Sequence, residues 1–257
     1  MQSLKEKIVC ITGASSGIGA ACAEEFAKLG CHLMLLARRR ERIENTAQRL
    51  ATAHGIKTFT AQLDVRKQKE VEQFFHWLPE EWQAIDILVN NAGLARGLAK
   101  LHEGNVNDWE EMIDTNVKGL LYVSRAVLPS MVERNRGHVI NIGSIAGHQT
   151  YPMGNVYCAT KFAVVGITRG LKMDLLGTAV RVSSVDPGLV ETEFSQVRFH
   201  GDTERASKAY AGLTPLTPHD VAQAVVFCAT RPPHVNIGEL TLTPTDQATV
   251  NLVHRRT

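Results

Sequence analysis

Strand-like and helix-like stretches alternate from one end of this chain to the other, which predicts an α/β fold with a parallel sheet covered by helices on both faces. Two observations carry the expectation. Short apolar runs of the kind buried strands need recur between helical patterns, and a glycine-rich turn joins the first such run to the first helix. A third sets the domain count: no repeat, low-complexity tract or linker interrupts the 257 residues, a length that open α/β sheets reach undivided.

Composition narrows the function classes. Hydrophobic residues at 44% and charged residues at 21% are ordinary for a globular protein, and a net charge of +2 gives no reason to expect nucleic acid or an acidic membrane surface as partner. The five cysteines are odd in number and scattered among small or apolar neighbours, as expected of reduced core thiols in a cytoplasmic protein. No CxxC, HExxH or clustered His and carboxylate spacing suggests a metal, and the opening MQSLKEKIVCITG has no secretory h-region.

In order, residues 7–12 (KIVCIT) read as a strand entering the turn Gly13-Ala-Ser-Ser-Gly17-Ile-Gly19, and a helix follows to residue 29. Glycines let backbone amides approach an anion, and the helix aims its positive end at it, so the turn reads as a phosphate cradle or as a tight turn without ligand. Its spacing, GxxxGxG, departs from the GxGxxG fingerprint. The next strand, 32–37, runs into Arg38-Arg39-Arg40, nineteen residues beyond Gly19, where an acid would hold a ribose hydroxyl and an arginine suits a 2′-phosphate. These cations open a helix (39–53), where the macrodipole disfavours them. Arg38 and Arg39, with Ser15 in the turn, therefore favour NADP(H) over NAD(H).

A third strand, 57–63, ends at Asp64-Val65, with a helix to residue 77. Asp64 stands at the ligand-binding edge of such sheets or caps that helix, and the two roles are compatible. Strand 85–89 enters Asn90-Asn91-Ala92-Gly93, and one long helix is expected over 106–134. Asn116, mid-helix among apolar residues, either satisfies backbone at a local distortion or holds water in a site. After strand 138–142 comes Ser144, then Tyr157 and Lys161 on a helix running to about residue 176. Four residues apart, phenol and ammonium share one face, and the cation is expected to lower the phenol's pKa and fit it to exchange protons with an alcohol or carbonyl. An isolated YxxxK is more often an ordinary helix. Strand 181–185 leads to Asp186-Pro187-Gly188-Leu189-Val190-Glu191-Thr192, residues 194–218 read as a substrate lid, and helix 218–229 and strand 239–243 close the sheet. The partly apolar tail, 244–257, could dock on another subunit.

Taken together, TGASSGIG, NNAG, Asn116, Ser144, Tyr157 with Lys161, and PGLVET resemble the short-chain dehydrogenase/reductase family over essentially the whole chain. The likeness is closest to the NADP-dependent 3-hydroxy acid dehydrogenases, carried by DWEEMIDTNVKGLLYVSRAVLPSMVERNRGHVINIGS, GNVY, PGLVETEFSQVRFHGD and LTPHDVA. The resemblance implies one Rossmann-type domain, a homotetramer with the helices over 107–134 and 151–176 between subunits, and catalysis on a small hydroxy acid. Tyr157 is then the acid/base, Lys161 lowers its pKa and binds the nicotinamide ribose, Ser144 orients the reacting oxygen, and Asn116 holds a relay water. Gly13, Gly17 and Gly19 cradle the pyrophosphate, Asp64 and Val65 the adenine, Asn90 the adjoining ribose region, and Val190 and Thr192 the carboxamide. Ile18, Ala92, Gly93 and Pro187 complete the implied cofactor surface. For a substrate carboxylate the lid offers Arg198, whose alternatives are an exposed loop arginine or a subunit contact, with Arg96 a weaker candidate. Cys158 stands where the family often has a smaller residue. Two other functions stay open: a broad NADPH-dependent carbonyl or 3-oxoacyl reductase, and a nucleotide-sensing protein on the same fold.

Overall fold

The computed structural model describes residues 2–256, which form one α/β domain around a seven-stranded, all-parallel sheet in the order β3-β2-β1-β4-β5-β6-β7. The strands are β1 (Ile8–Thr12), β2 (His32–Ala37), β3 (Thr58–Gln62), β4 (Ile87–Asn90), β5 (Gly137–Ile142), β6 (Val180–Pro187) and β7 (Glu239–Leu242). The helices are α1 (Gly17–Lys28), α2 (Arg40–His54), α3 (Gln68–His76), α4 (Glu80–Gln83), α5 (Val106–Ile113), α6 (Leu120–Glu133), α7 (Asn155–Asp174), α8 (Phe194–Arg198), α9 (Thr203–Lys208) and α10 (Pro218–Ala229).

Alternation along each strand splits the core into two layers. Val9, Ile11, Leu33 and Leu35 face α1, α2 and α10, against Phe26, Ile43, Leu50 and Val221. Cys10, Met34, Leu36 and Leu88 face the other way, against Val71, Trp82, Val123 and Met131. Helix ends follow local chemistry. On α2, apolar Ile43, Ala47 and Leu50 make one stripe, and the helix stops at Gly55 in the left-handed conformation (φ 65°). Thr217 and Asp220 close a reciprocal capping box on α10, with Pro218 at its first position.

Two expectations need revision, and the tail shows contacts of its own. The helix predicted over 106–134 is interrupted: Asp114–Gly119 is a π-helical segment between α5 and α6. Asn116 lies in it, and a Cβ on Gly119 would stand 2.6 Å from Val65 Cγ2, so the widened turn lets the end of β3 come close. The 194–218 stretch is more regular than expected, holding α8 and α9. The tail folds onto its own chain: Gln247 is buried and accepts from Leu189 N (2.8 Å), Val250 N donates to Gln149 Oε1 (3.1 Å), and Arg256 N donates to Gly212 O (2.6 Å). All five cysteines are buried and free, as expected of core thiols.

Close packing of the first turn of α1 generates a stability prediction. A Cβ on Gly19 would lie 2.5 Å from both Gly13 O and Asn91 Nδ2. A backbone oxygen cannot move aside cheaply, so Gly19→Ala is expected to cost about 1–3 kcal/mol. At this chain length that corresponds to a fall in Tm of about 2–10 °C by calorimetry.

Candidate active site

In an open parallel sheet the crevice forms where successive crossovers leave in opposite directions, here between the C-terminal ends of β1 and β4. A cavity of about 330 Å³ lies along that edge. Sixteen of the residues singled out from sequence border it: Gly13, Ser15, Gly17, Ile18, Arg38, Arg39, Asp64, Val65, Ala92, Gly93, Ser144, Tyr157, Lys161, Pro187, Val190 and Thr192. Gly19, Asn90, Asn116 and Arg198 are not among the bordering residues.

The cradle is pinned from the neighbouring strand. Thr12 Oγ1 accepts from the backbone N–H of Asn91 (3.1 Å) and Ala92 (3.0 Å), and Asn91 Nδ2 donates to Thr12 O (2.9 Å) and Gly13 O (3.2 Å). Gly13 and Gly17 take left-handed φ of 66° and 54°. A side chain on Gly13 would also meet Ala92 Cα at 2.9 Å, so both conformation and space demand glycine. Asn91, which the sequence reading passed over, is thus the amide at the site. Asn90 instead lies inside the sheet, donating to Ser124 Oγ and Asn141 Oδ1 (2.9 Å each), which corrects its expected ribose contact. Gly19 serves by packing against Gly13 and Asn91, not by facing the cavity.

On α7, Tyr157 and Lys161 lie one turn apart as predicted, with Lys161 Nζ 6.0 Å from the centre of the phenol ring. Lys161 Nζ donates to Ile142 O (2.9 Å), and burial pushes its pKa down to about 8 against the pull of Asp186. The phenol departs from expectation: burial raises its pKa. Opposing that, the Arg198 guanidinium and the Ser144 hydroxyl favour the phenolate. Ser144 Oγ accepts from Ala146 N (3.1 Å) and donates to Pro187 O (3.4 Å), which fixes it at the end of β5.

Asn116 has a structural task. Its Oδ1 accepts from Leu94 N (2.8 Å), and its Nδ2 donates to Leu94 O (2.8 Å) and Thr160 Oγ1 (3.0 Å). Of the two alternatives read from sequence, the amide therefore satisfies backbone beside the π-helical segment, and the side chain is not left free for a relay water.

Charges crowd the two ends of the cavity. Arg39 donates to Ser15 Oγ (3.1 Å), Ser16 Oγ (2.6 Å) and Glu193 Oε2 (2.7 Å), while Arg38 lies 3.7 Å from Glu111. Asp64 is gripped by Arg66 through its backbone N–H and two guanidinium nitrogens, which hold the carboxyl below its usual range despite burial. It does not cap α3, which starts after Lys67. Arg96 is no candidate for a substrate anion: Nε donates to Glu111 (2.7 Å) and Nη1 to Val197 O (2.6 Å), bracing the lid. Arg198 sits among three rings, 5.1 Å from the centre of Tyr157, 5.2 Å from Phe194 and 5.7 Å from Tyr151. Its Nη2 donates to Tyr151 Oη (2.6 Å), and its buried Nε finds no acceptor among the described residues.

Spacing along the chain also missed a cluster: His148, Asp186 and Glu239 bring potential metal-binding atoms within 4.8 Å of one another. Arg169 binds both oxygens of Glu239 and supplies positive charge there. Among the described residues no helix is long and apolar enough to cross a membrane.

This crevice, its glycine turn and the Ser, Tyr and Lys around it are the arrangement of an oxidoreductase built on a dinucleotide-binding sheet. The chain belongs to the short-chain dehydrogenase family, whose model matches residues 7–202. It is 51% identical over 250 residues to the NADP-dependent 3-hydroxy acid dehydrogenase YdfG of Salmonella typhi, covering 96% of this chain and 99% of that one. An NADP-dependent 3-hydroxy acid dehydrogenase of Schizosaccharomyces pombe is 43% identical over 257 residues, covering 100% of this chain and 99% of that protein. Among solved structures, a closed form of serine dehydrogenase complexed with NADP+ superposes with a TM-score of 0.90 at 49% identity, over 97% of this chain and 100% of that one.

If Asn116 holds the loop after β4, removing its amide leaves the buried N–H and C=O of Leu94 without partners. Asn116→Ala is expected to destabilise the fold by about 2–4 kcal/mol, read from urea midpoints at unchanged m. A purely catalytic role would leave the midpoint where it was.

Proposed function

We propose that this chain transfers hydride reversibly between NADP(H) and the hydroxyl-bearing carbon of small 3-hydroxy acids, the L-serine, L-allo-threonine and 3-hydroxyisobutyrate class, with Tyr157 as acid/base. The residues fit the cofactor. Gly13 and Gly17 leave room at the head of α1 for a pyrophosphate, and Arg38, Arg39 and Ser15 suit a 2′-phosphate. Bound NADP(H) supplies the hydride acceptor or donor, the step no side chain here can perform.

The protein's part is to orient the substrate oxygen and move one proton. Ser144 and Tyr157 meet that oxygen from two sides, and Lys161 brings a positive charge to the same end of the cavity. At neutral pH the phenol is protonated, because burial raises its pKa, so it is ready to give a proton to a carbonyl. Oxidation of an alcohol needs the phenolate, and Arg198 is the nearby cation that favours it.

The observation that carries the hydroxy acid assignment is Arg198. A cation beside Tyr157 with a buried, unpaired Nε–H suits a substrate carboxylate, whereas a neutral ketone leaves that donor unsatisfied. The names of the relatives support the same class. A general carbonyl or 3-oxoacyl reductase would be indifferent to this group. A nucleotide sensor would have no need of Ser144, Tyr157 and Lys161 gathered at one cavity. Apolar Leu121, Phe162 and Met173, exposed on α6 and α7, support a homotetramer assembled through those helices, and the buried free thiols suit the cytoplasm.

Tyr157→Phe is expected to remove nearly all turnover while leaving dinucleotide binding, read by fluorescence titration, within about twofold, since only the proton carrier is lost. Purified enzyme assayed with NADP+ against L-serine, L-allo-threonine, 3-hydroxyisobutyrate and neutral secondary alcohols should oxidise the acids far better. Arg198→Leu should raise KM for the acids at least about tenfold, little more than one charge-assisted hydrogen bond. The same change should shift the rising alkaline limb of oxidation to higher pH, because a group that lowers the phenol's pKa is gone. Equal turnover of neutral alcohols by the unaltered enzyme would make it a general carbonyl reductase.

A further inference from the structure

A buried carboxylate lies beside the active site without bordering it. Asp186, near the end of β6, has a fully buried side chain. Its Oδ1 accepts from Ser184 Oγ (2.5 Å), and its Oδ2 accepts from His148 Nε2 (2.9 Å) in the turn after β5. It also fills the side-chain space of Gly143, where a Cβ would stand 1.8 Å from Asp186 Oδ1. Gly143 follows Ile142, whose carbonyl holds Lys161 Nζ, and precedes Ser144. The carboxylate is thus pressed against the strand end that carries both the lysine's acceptor and the serine, yet neither Asp186 nor His148 borders the cavity. The charged and titratable groups around it are Lys161 and Arg169 on α7, His148 after β5, and Glu239 on β7, itself near Lys172. Arg169 binds both oxygens of Glu239, so that outer acid is matched by a cation of this chain. Lys161 has no such partner at bonding distance among the described residues. Burial lowers its pKa to about 8, and Asp186 is the charged group that opposes the fall.

We propose that Asp186 is a positioning residue for the reaction: it is the counter-charge that keeps the Lys161 ammonium ionised inside the fold, with His148 satisfying the carboxylate from the solvent side. The proposal rests on Lys161 acting as the active-site cation and deepens that reading. An ammonium cut off from water, with one carbonyl to bond, gives up its proton readily, and a neutral amine brings no charge to the reacting end. A carboxylate behind the strand supplies the missing field without taking space in the cavity, because Gly143 has no side chain to keep it away. His148 is 28% exposed, so the second donor to Asp186 stands between the buried acid and water. A neutral imidazole there satisfies Oδ2, which would otherwise be buried without a donor, and leaves the negative charge to act on Lys161.

Lys161 can be read directly, without turnover. The full chain, isotopically labelled in lysine, is titrated by NMR in buffer containing EDTA, which keeps divalent cations off His148, Asp186 and Glu239. The Lys161 signal is the one missing from Lys161→Arg. In the unaltered protein its midpoint should lie near pH 8. Asp186→Asn, of the same size, should lower it by about one pH unit or more, a tenfold change in proton affinity. His148→Gln keeps an N–H of similar reach without a titratable ring and should leave the midpoint within a few tenths of a pH unit. In NADPH-dependent reduction of the aldehyde of 3-hydroxyisobutyrate, Asp186→Asn should run about fivefold slower than the unaltered enzyme at pH 8 and recover nearly all of the deficit at pH 6, where Lys161 regains its proton. Damage to the structure alone would slow both alike. A Lys161 midpoint unmoved by Asp186→Asn, one moved as far by His148→Gln, or a rate deficit equal at the two pH values would overturn the proposal. If Asp186→Asn does not fold, the unaltered protein decides, since a Lys161 midpoint below about pH 6 would mean that no counter-charge acts on it. Failure of the unaltered enzyme to turn over any hydroxy acid would sink the functional reading instead, and the titration would still measure what Asp186 does to Lys161.

Discussion

The hydroxyl of Thr12 and the amide of Asn91 hold the site together. β1 and β4 are neighbours whose following connections leave toward opposite ends of the sheet, and nothing in the ladder itself keeps the two loops apart at a fixed distance. The side chains of Thr12 and Asn91 do so through four hydrogen bonds across the gap, one of them to Gly13 O at the start of the glycine turn. With that gap set, Gly13 must be glycine, Gly19 must be glycine, and the loop after Asn91 is delivered to Asn116. Asn116 in turn fixes Leu94 and distorts the helix it belongs to, and that helix carries Glu111, which collects the arginines. A chain of local necessities thus runs from one threonine to the charge distribution of the whole crevice.

That distribution is uneven in a useful way. At the adenine end, half-exposed arginines meet acids of this same chain, so the cations are fully paired and weakly committed. At the chemical end, the positive groups are under-paired, one buried and one half-buried: Lys161 has a single carbonyl acceptor and Arg198 a phenol hydroxyl with aromatic faces. Burial weakens Lys161's hold on its proton and strengthens that of Tyr157, so two groups of nearly equal proton affinity in water are pushed apart, the phenol holding its proton the more tightly. Solvent-screened charge serves recognition, and desolvated charge serves reaction.

Much of the fold was readable because its decisive signals are local. β2 ends where the apolar run meets Arg38, and α10 begins at Pro218 behind Thr217, so both elements have the predicted bounds. The glycine turn, the serine after β5 and the Tyr and Lys on α7 were legible for the same reason: each owes its place to neighbours within one or two turns. What stayed hidden depends on partners far along the chain. The π-helical segment follows from Asn116 meeting Leu94, 22 residues away, and the cage around Arg198 uses Tyr151, 47 residues away. Choosing Asn90 over Asn91 failed because one residue decides which points into the sheet and which to the cleft. The direction of the phenol's pKa was misjudged because a sequence displays the nearby lysine but not the burial that outweighs it.

The position of β1 has a consequence for how the chain comes into being. Of the seven strands of this sheet it is the first to leave the ribosome, yet it lies inside the sheet, with β2 on one side and β4 on the other. Its first neighbour arrives within two dozen residues, so β1, α1 and β2 can associate early. The bonds from Thr12 to Asn91, by contrast, span 79 positions. At ordinary synthesis rates of about 5–20 residues per second, that gap is several seconds long. Throughout that interval one edge of the oldest strand stands open beside a half-built anion cradle, made of apolar residues that pair readily with any passing strand. The nascent protein is therefore most exposed to misassembly at the place its finished form depends on most.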